Sequence, residues 1–267
     1  MPVRLRSLQS RVLPHGWFDV VRQVLLFAAA YYGYGLVRGM VEGKTAAAFS
    51  HARELISIER TMHFFVEPSV QAWASGSRWL IDGASWVYLN AQTSITVGAL
   101  VFLYLFHNRS FYFVRNMFMV AMAIALVGYA VFPTAPPRLL PEWGFFDTVA
   151  HFTGVAPTNG SVNAFFNLYA AVPSMHVAFA LMIAFPLSRL VRWRAARVLW
   201  TVYPLLVTFV IVATANHFLS DALLGAATAG ASAYVARWLG RTRPQAWRFI
   251  PRQAAPAGAR AGAGLAA

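Results

Sequence analysis

Residues 198–239 read VLWTVYPLLVTFVIVATANHFLSDALLGAATAGASAYVARWL. Two apolar stretches, Val198–Ala215 and His217–Leu239, meet at the polar island Asn216-His217-Phe218-Leu219-Ser220-Asp221. Each approaches the roughly 20 residues that a membrane-spanning helix needs. Almost nothing joins them, so the turn at Ala215-Asn216 belongs near one membrane surface. It carries a histidine and a carboxylate to that surface. A second island, Pro173-Ser174-Met175-His176, opens another apolar stretch, Val172–Leu190. Toward the N-terminus, Val20–Met40, Gly83–Phe106 and Asn116–Phe132 bring the candidate spans to six. The expected fold is all-α: an integral membrane bundle of six transmembrane helices plus an outer interfacial amphipathic helix.

Composition agrees with that expectation. The chain is 58% hydrophobic and only 12% charged, where a soluble domain averages about 25% charged residues. It has no cysteine, which excludes disulfides and thiolate metal sites. The net charge of +13 comes almost entirely from arginine, Lys44 being the only lysine. Nucleic acid is excluded as a partner because no basic domain stands outside the apolar stretches.

The arginines instead report topology. Sixteen of the 21 arginines cluster in four groups: Arg4, Arg6, Arg11 and Arg22; Arg109 and Arg115; Arg189, Arg192, Arg194 and Arg197; and the run from Arg237 to Arg260. Six spans put all four groups on one side, making both termini cytoplasmic. Both polar islands then face outward, as do eight of the nine acidic residues, Asp19 being the exception. The domain division is a cytoplasmic basic N-terminus at 1–19, a catalytic membrane domain at 20–241 and a disordered basic cytoplasmic tail at 242–267. A signal-peptide reading of the N-terminus fits less well, since apolar residues continue to Met40, beyond a normal h-region. High Ala, Arg and Gly usage suits a GC-rich bacterial genome, hence a multi-pass plasma-membrane protein with its site on the periplasmic or extracellular side.

Two outer connections are long. In Val41–Arg78, residues Phe49, Ala52, Ile56 and Met62 recur near helical spacing, which predicts the interfacial helix. His51, Glu54, Glu59 and His63 share this segment and read as a polar face toward water or headgroups, with a substrate-headgroup site as the alternative. The second connection, Pro133–Ala171, holds five prolines and is too long to be mere linker.

The islands carry the chemistry. His217 and Asp221 are four apart at a helix start, so they share a face. A carboxylate on one imidazole nitrogen sets the tautomer and strengthens the other nitrogen as a nucleophile. A buried structural pair or a proton relay is the competing account. His176 lies one turn into its span after Pro173-Ser174, a favourable N1 and cap combination. The free N–H groups there form an anion site, and His176 is placed to act as general acid. Otherwise it is a satisfied interfacial histidine. Arg138, the only arginine of its loop, suits bidentate phosphate binding; the alternative is a headgroup anchor.

Taken in order, the Pro133-Thr134-Ala135-Pro136-Pro137-Arg138 segment, P-S-M-H and H-F-L-S-D resemble the three signature blocks of the type 2 phosphatidic acid phosphatase superfamily. The resemblance covers roughly Asn116–Leu239. It implies His217 as nucleophile, Asp221 as its partner, His176 as acid, and Arg138 with Ser174 as phosphate ligands. Departures exist: Val131 stands at the first block's Lys and Leu139 at its Pro, while Val210-Ile211 replaces the third block's Ser-Arg. The remaining pattern is more similar to the inositolphosphotransferase branch, like fungal inositol phosphorylceramide synthases.

Loss of two of the three positive clamp residues points to a phosphodiester with one negative charge, held by Arg138, N–H donors and Asn216. Arg53 or Arg60 could replace the lost cations. The expected reaction moves a phosphorylated headgroup, inositol phosphate included, from a phospholipid to a hydroxyl acceptor through a phosphohistidine. The alternative is a phosphatase hydrolysing phosphatidic acid or a polyprenyl (pyro)phosphate with water as acceptor. A proton-coupled transporter or flippase is the third reading. No metal and no cofactor are expected, and the partners are lipid substrate, acceptor and bilayer.

Overall fold

Helices follow the apolar stretches in this computed structural model, which describes residues 16–41, 44–154 and 169–243. They are α1 (Gly16–Val41), α2 (Thr45–Thr61), α3 (Glu67–Ser75), α4 (Arg78–Phe106), α5 (Asn108–Val131), the short α6 (Thr148–Thr153), α7 (Met175–Leu190), α8 (Arg194–Ala213) and α9 (Leu219–Thr242). Among the described residues there is no strand, only an isolated bridge between Thr134 and Ala170. Three helices, α4, α5 and α8, are long and apolar enough to cross a membrane, and α7 is apolar but shorter at 16 residues. The chain is thus a helical membrane protein; a count of six spans requires adding α1, α7 and α9 to these three. Most of the N-terminal arginine group and most of the tail lie outside the described residues.

The bundle centres on α5, α7 and α9, with α8 against α7. Residues Ala222, Gly225, Ala229, Ser232 and Ala236 form a buried stripe on α9 at spacings of three and four. Small residues at that period let backbones approach closely, the usual way helices pack where lipid removes most of the hydrophobic drive. Larger side chains from α5 and α7, such as Phe118, Met182 and Ile183, fill the remaining core. Large apolar residues such as Leu205, Phe185 and Val131 point outward, as helices facing hydrocarbon require.

Several expected boundaries shift. Helix α5 starts at Asn108 rather than Asn116, so Arg115 is not a loop charge but a 1% exposed side chain donating to Gln23 at 2.9 Å. Beside it, Tyr104 and Tyr112 donate to Asp19, tying α1 to α4 and α5. A buried guanidinium is tolerated only when its donors are satisfied, and this network supplies the acceptors.

Helix α7 starts at Met175 with Ser174 as N-cap residue, so Pro173 is not in its first turn. His176 is consequently the second helical residue, not one turn in. Helix α9 starts at Leu219, leaving His217 ahead of it and off any helical face.

Helix α2 forms where periodicity predicts it, burying Ala48, Ala52, Leu55 and Ile56. Its polar residues do not form one outward face. Glu54 and His63 are exposed, while His51 meets the Pro133 carbonyl at 2.7 Å and stacks on Phe132. Glu59 is fully buried. Segments packed over this helix from elsewhere in the chain, invisible to local periodicity, cover His51 in part and Glu59 entirely.

Candidate active site

The turn between α8 and α9 is built by backbone bonds that converge on few acceptors. Asn216 and His217 both donate their N–H to the Ile211 carbonyl, at 2.9 and 3.2 Å. Ala215 takes a left-handed φ of +50°, a conformation costing a non-glycine residue about 1–2 kcal/mol. Such strain survives where surrounding contacts impose it. Here the Ala215 carbonyl accepts from Arg138 N–H at 2.8 Å, and the Thr214 carbonyl accepts from the Thr148 hydroxyl at 2.7 Å. Two segments of the connection between α5 and α7 therefore lock the turn.

Asp221 occupies the third position of α9, and its carboxylate folds back. One oxygen accepts from the Phe218 N–H at 3.0 Å and lies 3.2 Å from His217 Nδ1. The sequence spacing predicts this meeting, but through a shared helical face. The actual route is an N-terminal cap, which satisfies an orphan amide and orients the imidazole together. With Nδ1 carrying its proton toward Asp221, Nε2 keeps its lone pair.

His176 approaches from α7. Its ring packs edge-on against His217, centroids 5.4 Å apart, and stacks on Tyr88 at 4.8 Å. Its carbonyl accepts from Gln92 at 2.7 Å. Tyr88 belongs to a π-helical turn, Val87–Ala91, within α4. Such a turn inserts a residue into the helix and re-aims its side chains, often at functional sites. Tyr88 shares the cavity wall with Arg138, whose charge acts on its hydroxyl.

Arg138 comes from a 3-10 turn, Pro137–Leu139, after α5. Its guanidinium donates to Asn216 Oδ1, and its Nε lies 3.7 Å from Asp147 Oδ2. Asn216 in turn donates to the Thr214 hydroxyl at 2.8 Å. Asn216 thus orients Arg138.

Arg138, Asn216, His176, His217 and Tyr88 line one cavity of about 350 Å³. Its remaining wall is mostly apolar, running along Met122, Leu126 and Phe179, with Thr93 and Tyr129 among its polar exceptions. A phosphate-sized polar end joined to an apolar slot suits an amphiphile.

Ser174 stands apart. It is fully buried, its Oγ has no hydrogen-bond partner, and it does not line the cavity. The residue instead sits against Gly225 of α9 and donates its N–H to the Asp221 carbonyl at 3.1 Å. Arg53 pairs with Glu142 and Arg60 covers Trp143, so neither supplies a second cavity cation. Among the described residues, no three His, Asp or Glu side chains are grouped as a metal centre needs.

Sequence reasoning misses Tyr88 and Asp147. Tyr88 lies within an apolar span and is delivered by a backbone irregularity that hydropathy does not reveal. Asp147 is one acid in an aromatic loop, with no spacing to mark it.

A family model described as PAP2 superfamily matches residues 53–235. No curated protein and no solved structure matches the chain.

Proposed function

The chain belongs to the PAP2 (type 2 phosphatidic acid phosphatase) superfamily, and on that footing we propose that it moves a phosphorylated headgroup from a phospholipid to a hydroxyl acceptor. Membership makes it a phosphatase or phosphotransferase of lipid phosphates. One observation favours transfer from a diester. Arg138 is the only basic side chain besides the two histidines among the described residues lining the cavity, and Asp147 already offsets part of its charge. A phosphate monoester carries about −1.5 to −2 charges at neutral pH, whereas a diester carries one. A single half-neutralised guanidinium balances the diester.

In the first half-reaction, His217 Nε2 attacks phosphorus and the bond to the lipid oxygen breaks. His176 gives that oxygen a proton, leaving diacylglycerol and a phosphohistidine. In the second, the acceptor hydroxyl passes its proton back to His176 while its oxygen takes phosphorus from His217. Asp221 holds the attacking imidazole, and Arg138, held by Asn216, binds the phosphoryl oxygens. The arginine groups, Arg115 apart, support six spans in the plasma membrane, cytoplasmic termini and an outward-facing site.

The test supplies purified protein with labelled phosphatidic acid and, separately, labelled phosphatidylinositol. Diacylglycerol released from the diester, rising when a polyol or lipid hydroxyl is added, is the expected result. Free phosphate from phosphatidic acid, with none of that transfer, would establish the phosphatase and overturn the charge-based assignment.

Tyr88 supplies a second test. Its hydroxyl lines the cavity with Arg138 and is proposed to donate to a phosphoryl oxygen, and its ring stacks on His176. Tyr88→Phe keeps the ring and is expected to raise KM about 10-fold, the loss of one hydrogen bond to a charged group, with kcat nearly unchanged. Tyr88→Leu loses the stacking as well and should lower kcat in the same micellar assay.

A further inference from the structure

We infer that Glu59 and Glu67 are positioning residues that share one proton and together hold the first turn of α9, and through it His217. The inference rests on His217 being the nucleophile. Both carboxyls are fully buried. Glu59 comes from the last turn of α2 and Glu67 is the first residue of α3.

Each spends one oxygen on an amide of α9. Glu59 Oε1 accepts from Ser220 N–H at 2.8 Å, and Glu67 Oε1 accepts from Leu219 N–H at 2.7 Å. With Asp221 on the Phe218 amide, three carboxyls from three helices satisfy successive amides at one helix start. The first-turn amides of a helix lack internal partners and favour negative charge, so the site is suited to such a clamp.

The second oxygens carry the inference further. Glu59 Oε2 and Glu67 Oε2 are buried and find no donor. The two side chains are neighbours nonetheless, since their first oxygens bind adjacent amides, and the Glu59 carboxyl acts directly on Glu67. Two carboxylates cannot bond without a hydrogen, and like charges in contact cannot both ionise at neutral pH. A single proton between them completes both.

Few other charges act on the pair. Asp221 lies on the same helix start and is the other carboxyl that Glu59 acts on. His217 is on the turn just before it. Arg60 is exposed and turned over Trp143, and His63 is exposed. Helix α8, packed on α3, carries its arginines, Arg194 and Arg197, at its opposite end. Burial, followed by the Glu59 charge, pushes the Glu67 carboxyl up to about 8.

Folded Glu67 keeps its proton above the ordinary 4.5, so from there to about 8 the folded protein binds more protons than the unfolded. Stability contributed by the pair is full at the acid end and is lost as pH rises through that window. Above it, two buried anions push α2 and α3 apart at the point where they grip α9, and turnover declines.

Three proteins decide the matter: wild type, Glu67→Ala and Glu67→Gln, each with melting temperature and kcat measured across pH 5–9. A glutamine presents an oxygen to Leu219 N–H and an N–H to Glu59, reproducing the shared-proton state without a titratable group. The expected wild-type Tm falls by about 5 °C or more across the window, and Glu67→Gln flattens that slope and removes the alkaline decline. Glu67→Ala is expected to lose on the order of 10-fold or more in kcat through misplacement of His217, with KM little changed, and Glu67→Gln restores it. An unchanged Tm slope in Glu67→Gln, or full kcat in Glu67→Ala, overturns the inference. If wild type turns over no lipid phosphate, the proposed reaction fails while the Tm slopes still decide the shared proton.

Discussion

His217→Ala is expected to abolish turnover, by at least about 10⁴-fold, because removing a covalent nucleophile leaves only binding and electrostatic assistance. Incubation with a headgroup-labelled donor, in the absence of acceptor, should leave label on wild-type protein that is stable to alkali and lost in acid, as a phosphoramidate is. The same label should be missing from His217→Ala. Asp221→Asn separates orientation from nucleophilicity. An asparagine oxygen can still accept from Phe218 N–H at the observed 3.0 Å, so the cap persists. The hydrogen bond that sets the imidazole tautomer loses its charge, and turnover should fall by about 10³-fold or more. A transporter using the same residues as a proton relay predicts a different result: no labelled protein in any variant. That outcome would end the phosphohistidine reading regardless of the donor tried.

Gly225→Ala is the second large effect, and its origin is steric. A Cβ at Gly225 would fall on the Ser174 carbonyl oxygen, with the Ser174 carbonyl carbon 3.2 Å away. These are backbone atoms, which cannot rotate aside as a flexible side chain would. The Ser174 N–H bond to the Asp221 carbonyl, at 3.1 Å, would have to break as α9 moves off the P-S-M-H turn. Overpacking of this kind costs about 3 kcal/mol, and it separates His176 from His217. An ångström of misplacement costs roughly 10²-fold in rate, so activity should fall further than stability alone requires.

Gly230→Ala provides the control on the same helix. Nothing lies within 4 Å of a Cβ there, so alanine should stabilise by about 0.5–1 kcal/mol through helix propensity. Thermal melts in detergent beside the transfer assay would read both changes. Equal effects from the two substitutions would mean that the contact between Ser174 and Gly225 is not tight.

Much of this protein is legible in linear order. Hydropathy sets a helical membrane chain, since each backbone group in hydrocarbon must be bonded within its own segment. Arg138, His176, His217 and Asp221 stand out because polar groups beside apolar runs are costly to keep, and the structure brings all four to one place, three on the cavity and Asp221 behind His217. The small-residue period of α9 is equally visible in the residues from Ala222 to Ala236.

Other features depend on partners far away in the chain. Ser174 looks like a phosphate ligand by its neighbours in sequence, yet the close approach of α9 at Gly225 buries it. Tyr88 reaches the site by a π-helical turn inside an apolar span. Glu59 has the local spacing of a solvated helix face, but its partner amide is 161 residues away. A residue's chemistry and its helical period are local properties, set by covalent structure and nearest neighbours. Whether a polar group meets water, phosphate or another helix depends on which surface covers it, and that surface is supplied only when distant segments pack.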